Sequence, residues 1–600
     1  MCKTLKILNI ITLCFCVIFS FLQVPTVADL SMVALFLSVA FSCVLVYFAF
    51  YTLQFRSNPK FYKVANKLYE YAPYVFLTAF VFRRAGAFST SFAYDVVSVI
   101  AWLLVAILSF VVSRFFLNEK YFYKRNPDFK KPDVHKKKIG KKAAKEALEW
   151  IDAFVQAVFA IILLNIFIFQ LYVIPSESMV DEFLIGDRVL VFKVSSGPKF
   201  PMTKVGLKDV KKYERGDITV FHNPQYPDTR KKELQNFYSQ MVFMLTLTKV
   251  NLNVDENGNP MADPLVKRVC GVGGEQLVML DGVLYHRTKD SDEFTPVKED
   301  SKWANWNLNE LPNAKKVKIQ RMPFTQAQYE MLLACEDDRR NFDVANFARE
   351  AKDLSAQFSN LASVASRQGK GVPQKAKSFR SDELHGVLNS DDRDVYALFS
   401  KNELVTQTLL SSEYGAAWFD AFVTDWIKSV PDDVLQGRAL YGGDMYTDSL
   451  FRMNLMIKQT VAKLILCNAN LILSPASSSY DKTLLERQNL LQTAEKQNLY
   501  MALNDSRNMM VFPANAQDGS ANYIPDGSYF MMGDNRFNSL DMRHSYDYKQ
   551  IPLVGADDFS VTYSSMLDPK YVSHTQMLGS PCFRIWPFSR LGVIHSKRAK

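Results

Sequence analysis

Four apolar runs crowd the first 174 positions: residues 5–24, 30–53, 95–117 and 153–174. A helix needs on the order of 20 apolar residues to cross the hydrocarbon core of a bilayer. These runs therefore commit the first part of the chain to membrane helices. A shorter stretch, 71–82, ends at Arg83-Arg84 and by itself reads as a short span, a re-entrant segment or an interfacial piece. The loops decide. Residues 54–70 carry Arg56, Lys60, Lys63 and Lys67 against Glu70, and residues 118–147 carry eleven Lys or Arg, including Lys136, Lys137 and Lys138. Basic loops stay cytoplasmic. Two successive cytoplasmic loops need an even number of crossings between them, so 71–92 crosses once and 95–117 crosses back. The expected topology has five spans, a cytoplasmic N-terminus and everything after Ile174 outside. The run 5–24 reads as a retained span, because it is long for a cleaved leader and no small-x-small site follows it.

Charge follows the same division. Residues 1–150 hold 20 Lys and Arg against 8 Asp and Glu; the other 450 hold 51 against 53. The overall +10 is thus a membrane-topology signal, and no nucleic-acid-binding face is implied. The eight cysteines form no CxxC pair, and the seven histidines form no HExxH or HxxxH. Neither a zinc site nor a disulfide scaffold is expected, and no cofactor is called for.

After Ile174 the pattern turns to β. DRVLVFK (187–193) alternates, GDITVFHNP (216–224) runs into a proline turn, and 264–287 reads as two or three strands with glycine turns. YFMMGDNRFNSLDMRHS (529–545) is a strand entering a polar loop, and 584–595 closes the series. Between about 320 and 510 the spacing is helical. The run 450–473 mimics a span, yet it carries Arg452, Lys458 and Lys463 and reads as a buried helix of a soluble unit. QGKGVPQKAKS (368–378) reads as a linker. The expected fold is a multi-span α-helical membrane region followed by a mostly-β extracytoplasmic catalytic domain with a large α-helical insertion. Its parts are four spans in 1–117, a basic cytoplasmic loop at 118–152 and a fifth span at 153–174. A β domain follows in two pieces, 175–319 and 511–600, around a helical insertion at 320–510 that enters and leaves between β blocks as a peripheral addition.

The chemistry sits where the chain leaves the bilayer, in VIPSESMVDEFLIGDRVLVFK (173–193). A serine hydroxyl needs a base to become a nucleophile. No histidine lies in a triad-like motif. A lysine serves if burial keeps it neutral, and Lys267, among Leu265, Val266 and Val269 on an expected strand, is placed for that.

Four blocks in this order, PSESMVDEFLIGDRVLVFK, GDITVFHNP, KRVCGVGGE and GDNRFNSLDMRHS, resemble the bacterial type I signal peptidases (leader peptidases), membrane proteases of the serine/lysine class. The resemblance covers roughly 100 residues of 174–290 and 524–595. It implies Ser178 as nucleophile and Lys267 as general base. It implies an oxyanion hole from the Ser176 hydroxyl and the Ser178 N–H, and a substrate cleft lined by Met179. Ser539 would orient Lys267. Arg268, Asp534, Asp541 and Arg543 would frame the site in ion pairs, with Gly533 and Asn535 shaping the loop. The chain departs from the family's pattern at Asp181-Glu182-Phe183, Gly271-Val272-Gly273-Gly274, Phe537 and Met542. None of these is the nucleophile, the base or Ser539, so cleft shape and substrate preference are what they put in question.

The implied activity is removal of signal peptides from secreted precursors at the outer face of the cytoplasmic membrane. The partners would be precursors, membrane lipid and a contact with the secretion machinery; nucleic acid is not among them. The alternative is an inactive membrane protein whose helical insert binds a secretion or envelope partner. Retention of Ser178, Lys267 and Ser539 together favours the enzyme. A self-cleaving cytosolic serine/lysine repressor is opposed by the five spans.

Overall fold

The structure is a computed structural model. It describes residues 2–24, 31–86, 90–127, 129, 139–207, 210–226, 229–246, 249–254, 258, 261–371, 386–389, 391–474 and 484–595. The basic run 130–138 and most of the expected linker 368–378 lie outside the described residues.

The apolar runs form helices α1 (Lys3–Phe21), α2 (Ser31–Leu45, continued as a π-helix to Phe55), α3 (Tyr62–Ala85) and α4 (Phe92–Val111, continued as a π-helix to Leu117). A short α5 (Glu119–Arg125) precedes the long α6 (Ile139–Phe167). The short stretch 71–82 is the middle of α3, which packs against both α2 and α4. Ala65, Ala72 and Ala79 recur on its buried face, where small side chains let neighbouring helices approach closely.

The ends of α3 explain its charges. At one end Lys67 pairs with Asp152 of α6 at 2.6 Å and Tyr71 donates to the same carboxylate at 2.7 Å. At the other end Arg83 pairs with Asp95 at 3.0 Å, and Arg84 Nε donates to the Met202 carbonyl of the β domain at 2.8 Å. Helices α3 and α6 therefore run parallel, and both finish against the β domain. Phe200 of that domain seals the junction, 5.0 Å from the Phe167 ring and 5.4 Å from that of Trp102.

The expected fifth span, 153–174, is too long. The helix stops at Phe167, and Phe169–Val173 is strand β1, paired residue for residue with β2 (Arg188–Phe192). The run is apolar throughout, and an apolar run does not by itself separate a helix from a buried strand. Ile168 alone joins the two elements. Its N–H donates to the Leu164 carbonyl at 2.8 Å, and its own carbonyl accepts from Lys193 N–H at 2.8 Å.

The β part is antiparallel throughout its named strands. One curled sheet has the order β1–β2–β13–β3–β4–β9–β12, where β3 is Ile218–Phe221, β4 Leu265–Val272, β9 Ser528–Met532, β12 Val572–Ser573 and β13 Met577–Trp586; β14 (Gly592–Val593) pairs with β13. A second sheet has the order β7–β6–β5–β8 (Ser291–Pro296, Val283–Thr288, Glu275–Leu280, Met509–Phe512), and β10 (His544–Pro552) with β11 (Thr562–Leu567) forms a hairpin. Helix α7 (Arg230–Leu245) sits between β3 and β4 and reaches α3 and α6 through Phe237 and Met241.

The helical block contains Gln326–Arg340, Val344–Arg367, Met445–Leu473 and Leu485–Arg507. By length and composition Met445–Leu473 could cross a membrane. Yet 72% of its apolar window is buried inside the protein, against 11% for Glu146–Phe167. It is the axis of the block. The block is not a peripheral addition: one hydrophobic core joins it to Val278 of β5 and to Leu553, Val554, Phe559, Val561 and Tyr563. Buried ion pairs and a hydrogen bond bind the same seam. Arg339 holds Asp281 with both contacts at 2.7 Å, Arg507 donates to the Asp281 carbonyl at 2.7 Å, and Lys458 holds Asp557 at 2.5 Å.

Candidate active site

Lys267 lies on β4 opposite Thr219 of β3, in the middle of the curled sheet. It is 3% exposed, and its Nζ is 2.5 Å from Ser178 Oγ. Burial disfavours the ammonium form and pushes the lysine down to about 8, with Arg543 acting in the same direction and Asp541 and Asp534 opposing. A neutral amine at that distance accepts a hydroxyl proton.

Ser178 sits in the turn after β1 that begins at Pro175. Asn535 N–H donates to the Ser178 carbonyl and Asn535 Nδ2 to the Glu177 carbonyl, both at 3.1 Å. The Ser178 N–H has no hydrogen-bond partner among the described residues. Ser176 is exposed, and its Oγ lies 3.3 Å from Ser178 Oγ. The Ser176 hydroxyl thus lies beside the Ser178 hydroxyl, with one residue between it and an N–H that has no bond among the described residues.

The frame is ionic and buried. Arg268 grips Asp534 at 2.7 and 2.6 Å and lies over the Trp303 ring. Arg543 grips Asp541 at 2.8 and 2.9 Å, and the second Asp541 oxygen accepts the Gly533 N–H at 2.9 Å. Burial alone would raise the Asp541 carboxyl; the Arg543 guanidinium overrides it and holds the group well below the usual carboxylate range. A Cβ on Gly533 would collide with Ser539 and with the Ser178 carbonyl, so the loop can pass beneath the nucleophile only as glycine.

Two expected placements differ. Ser539 does not hydrogen-bond Lys267: its Oγ is buried with no hydrogen-bond partner among the described residues, because the lysine points at Ser178. Met179 does not line an open cleft. It is fully buried among Ile174, Phe183, Val189 and Val191, a floor beneath the nucleophile.

The departures from the family pattern find local partners. Asp181 pairs with Lys315, and Glu182 with Arg584 at 3.3 Å. Phe537 packs edge-on against Trp306 and Phe324, and Met542 is core. Arg536 was not singled out by the sequence, yet it is fully buried and grips Asp300 at 2.8 and 2.5 Å. Its partner lies 236 positions earlier, beyond the reach of any local pattern.

A serine hydroxyl against a buried, easily neutralised lysine, with two donors beside it, is the arrangement that a serine/lysine hydrolase requires. Sequence comparison finds related proteins over part of the chain. The model of the family "Signal peptidase, peptidase S26" matches residues 147–341 and 475–561, skipping the middle of the helical block. Signal peptidase I of Buchnera aphidicola subsp. Acyrthosiphon pisum is 36% identical over 126 residues, which is 21% of this chain and 37% of that protein. Signal peptidase I of Haemophilus influenzae is 26% identical over 133 residues, 22% of this chain and 36% of that protein. Over these stretches the chain is similar to bacterial type I signal peptidases, and it spans about a third of the length of the curated relatives it matches.

Proposed function

We propose that this chain is a membrane-bound serine endopeptidase that removes N-terminal signal peptides from exported precursors at the outer face of the cytoplasmic membrane. The observation that carries the reading is the 2.5 Å approach of Lys267 Nζ to Ser178 Oγ inside a buried sheet. Ser178 Oγ attacks the scissile carbonyl while Lys267 takes its proton. The oxyanion is met by the Ser178 N–H and the Ser176 hydroxyl. Lys267 then returns the proton to the leaving amine, and a water molecule, activated by the same base, frees the acyl group. Asp534, Asp541 and their arginines keep the loop 533–543 in place beneath the nucleophile, and Ser539 lies on that loop. The reaction needs no cofactor. Helix α6 and its neighbours would hold the site at the membrane surface, where a precursor anchored by its apolar segment presents its cut site.

The test is cleavage of a precursor with a signal peptide, in detergent, by the purified chain. Cleavage by wild type and none by Ser178→Ala supports the reading. Absence of cleavage by the folded wild-type chain would leave the binding-scaffold alternative in its place. Within the same assay, Ser176→Ala is expected to lower kcat by about 10²–10³, the usual cost of one oxyanion donor. Ser176→Thr should recover part of that loss. Unchanged turnover in Ser176→Ala would remove this hydroxyl from the oxyanion hole.

A further inference from the structure

Glu177, the residue between the two serines, is 5% exposed, and among the described residues it forms no ion pair. Its carboxylate is held instead by N–H groups. Oε1 accepts the backbone N–H of Gln320, and Oε2 accepts the backbone N–H of Arg321 and Asn538 Nδ2, each of the latter at 3.2 Å. Its own carbonyl accepts from Asn535 Nδ2 and Val180 N–H. Gln320 and Arg321 end the stretch that leads from β7 into the helical block. The same stretch touches the site elsewhere too: Asn305 N–H donates to the Asp534 carbonyl at 2.7 Å, Lys315 pairs with Asp181, and Trp303 lies beneath Arg268.

A buried carboxylate that accepts several N–H bonds is fixed more firmly than a neutral acceptor, since charged hydrogen bonds are shorter and stronger. Losing it takes the shared acceptor away from three half-buried N–H donors. The backbone of Glu177 is the link between the Ser176 hydroxyl and the Ser178 N–H. Holding its side chain from two directions fixes the angle between the two oxyanion donors.

We infer that Glu177 is a positioning residue: it clamps the nucleophile turn between the 303–321 stretch and the 535–538 loop, so that Ser176 and Ser178 face one oxyanion position. The inference rests on the proposed serine/lysine chemistry, and its test separates the two. Glu177 makes no bond to Lys267 among the described residues, so the clamp is expected to act on turnover and to leave the base alone.

The experiment compares wild type, Glu177→Ala, Glu177→Gln and Asn538→Ala, with Ser178→Ala as the blank. Precursor cleavage gives kcat and KM, and mass spectrometry gives the rate at which an activated carbamate acylates Ser178. Acylation that depends on Ser178 verifies the nucleophile even with a poorly chosen precursor, so failure of the proposed function and failure of the clamp are told apart. Glu177→Ala is expected to lower kcat and acylation by about 10- to 100-fold, the range in which sub-ångström misplacement acts. KM should stay within about twofold and the acid limb of the pH profile should not move. Glu177→Gln, which keeps one acceptor oxygen, should recover part of the loss, and Asn538→Ala should lose less than Glu177→Ala. Unchanged acylation in Glu177→Ala would overturn the clamp. So would equal losses in Ala and Gln that follow a fall in melting temperature, because the residue would then be structural only. If Glu177→Ala does not fold, full acylation by folded Asn538→Ala and Glu177→Gln alike would overturn it too.

Discussion

Lys267→Arg is expected to be as inactive as Lys267→Ala, although it keeps the positive charge. Guanidinium stays protonated in proteins and cannot accept the Ser178 proton, so the substitution separates a base from a cation. The wild-type pH dependence carries the same information. Burial lowers the lysine to about 8. Below that value most of the lysine is protonated and cannot accept, so kcat/KM should rise about tenfold per pH unit and level off as the amine becomes neutral. The sign is that of a depressed base: activity is gained, not lost, as pH rises through the lysine's own titration. Substantial cleavage by a folded Lys267→Arg chain, or a profile flat from pH 6 to 9, would mean that charge alone is what the position supplies.

Asp541→Asn should act on both stability and titration. Asp541 and Arg543 are buried together, and the carboxylate also takes the Gly533 N–H. Removing its charge strands a buried guanidinium, a change typically worth about 3–5 kcal/mol. It also removes the negative charge that most favours the protonated form of Lys267. The melting temperature should fall clearly, and the acid limb of whatever activity survives should move to lower pH. A profile that shifts upward, or does not shift at all, would show that the charge of Asp541 does not reach the lysine.

The residues Ser178, Lys267, Arg268, Asp534 and Asp541 were legible because each lies in a short block with its own local pattern. The structure brings these blocks into contact across 89 to 266 positions of sequence. What was not legible depended on distance or on pairing. The strand Phe169–Val173 hides inside an apolar run, because only its partner β2 makes it a strand. The embedding of the helical block rests on Val278 and on 553–563, residues whose own sequence gives no hint of a helical neighbour. Ser539 was assigned a bond to Lys267, but in this structure the lysine spends its reach on Ser178. The clamp at Glu177 needs backbone N–H groups from Gln320 and Arg321, which no side-chain pattern can announce.

The one-residue passage from α6 to β1 has a mechanical meaning. Ile168 is bonded on its amide side to the helix and on its carbonyl side to the sheet, so no swivel exists between them. Helix α6 is then a mast rather than a leash. Any roll or tilt of the mast carries Ser178 with it, and Arg84 and Phe200 brace the same joint from the flank of the bundle. The face that carries Ser178 therefore keeps one compass bearing relative to the helices, and under the proposed function a precursor would be met along that bearing.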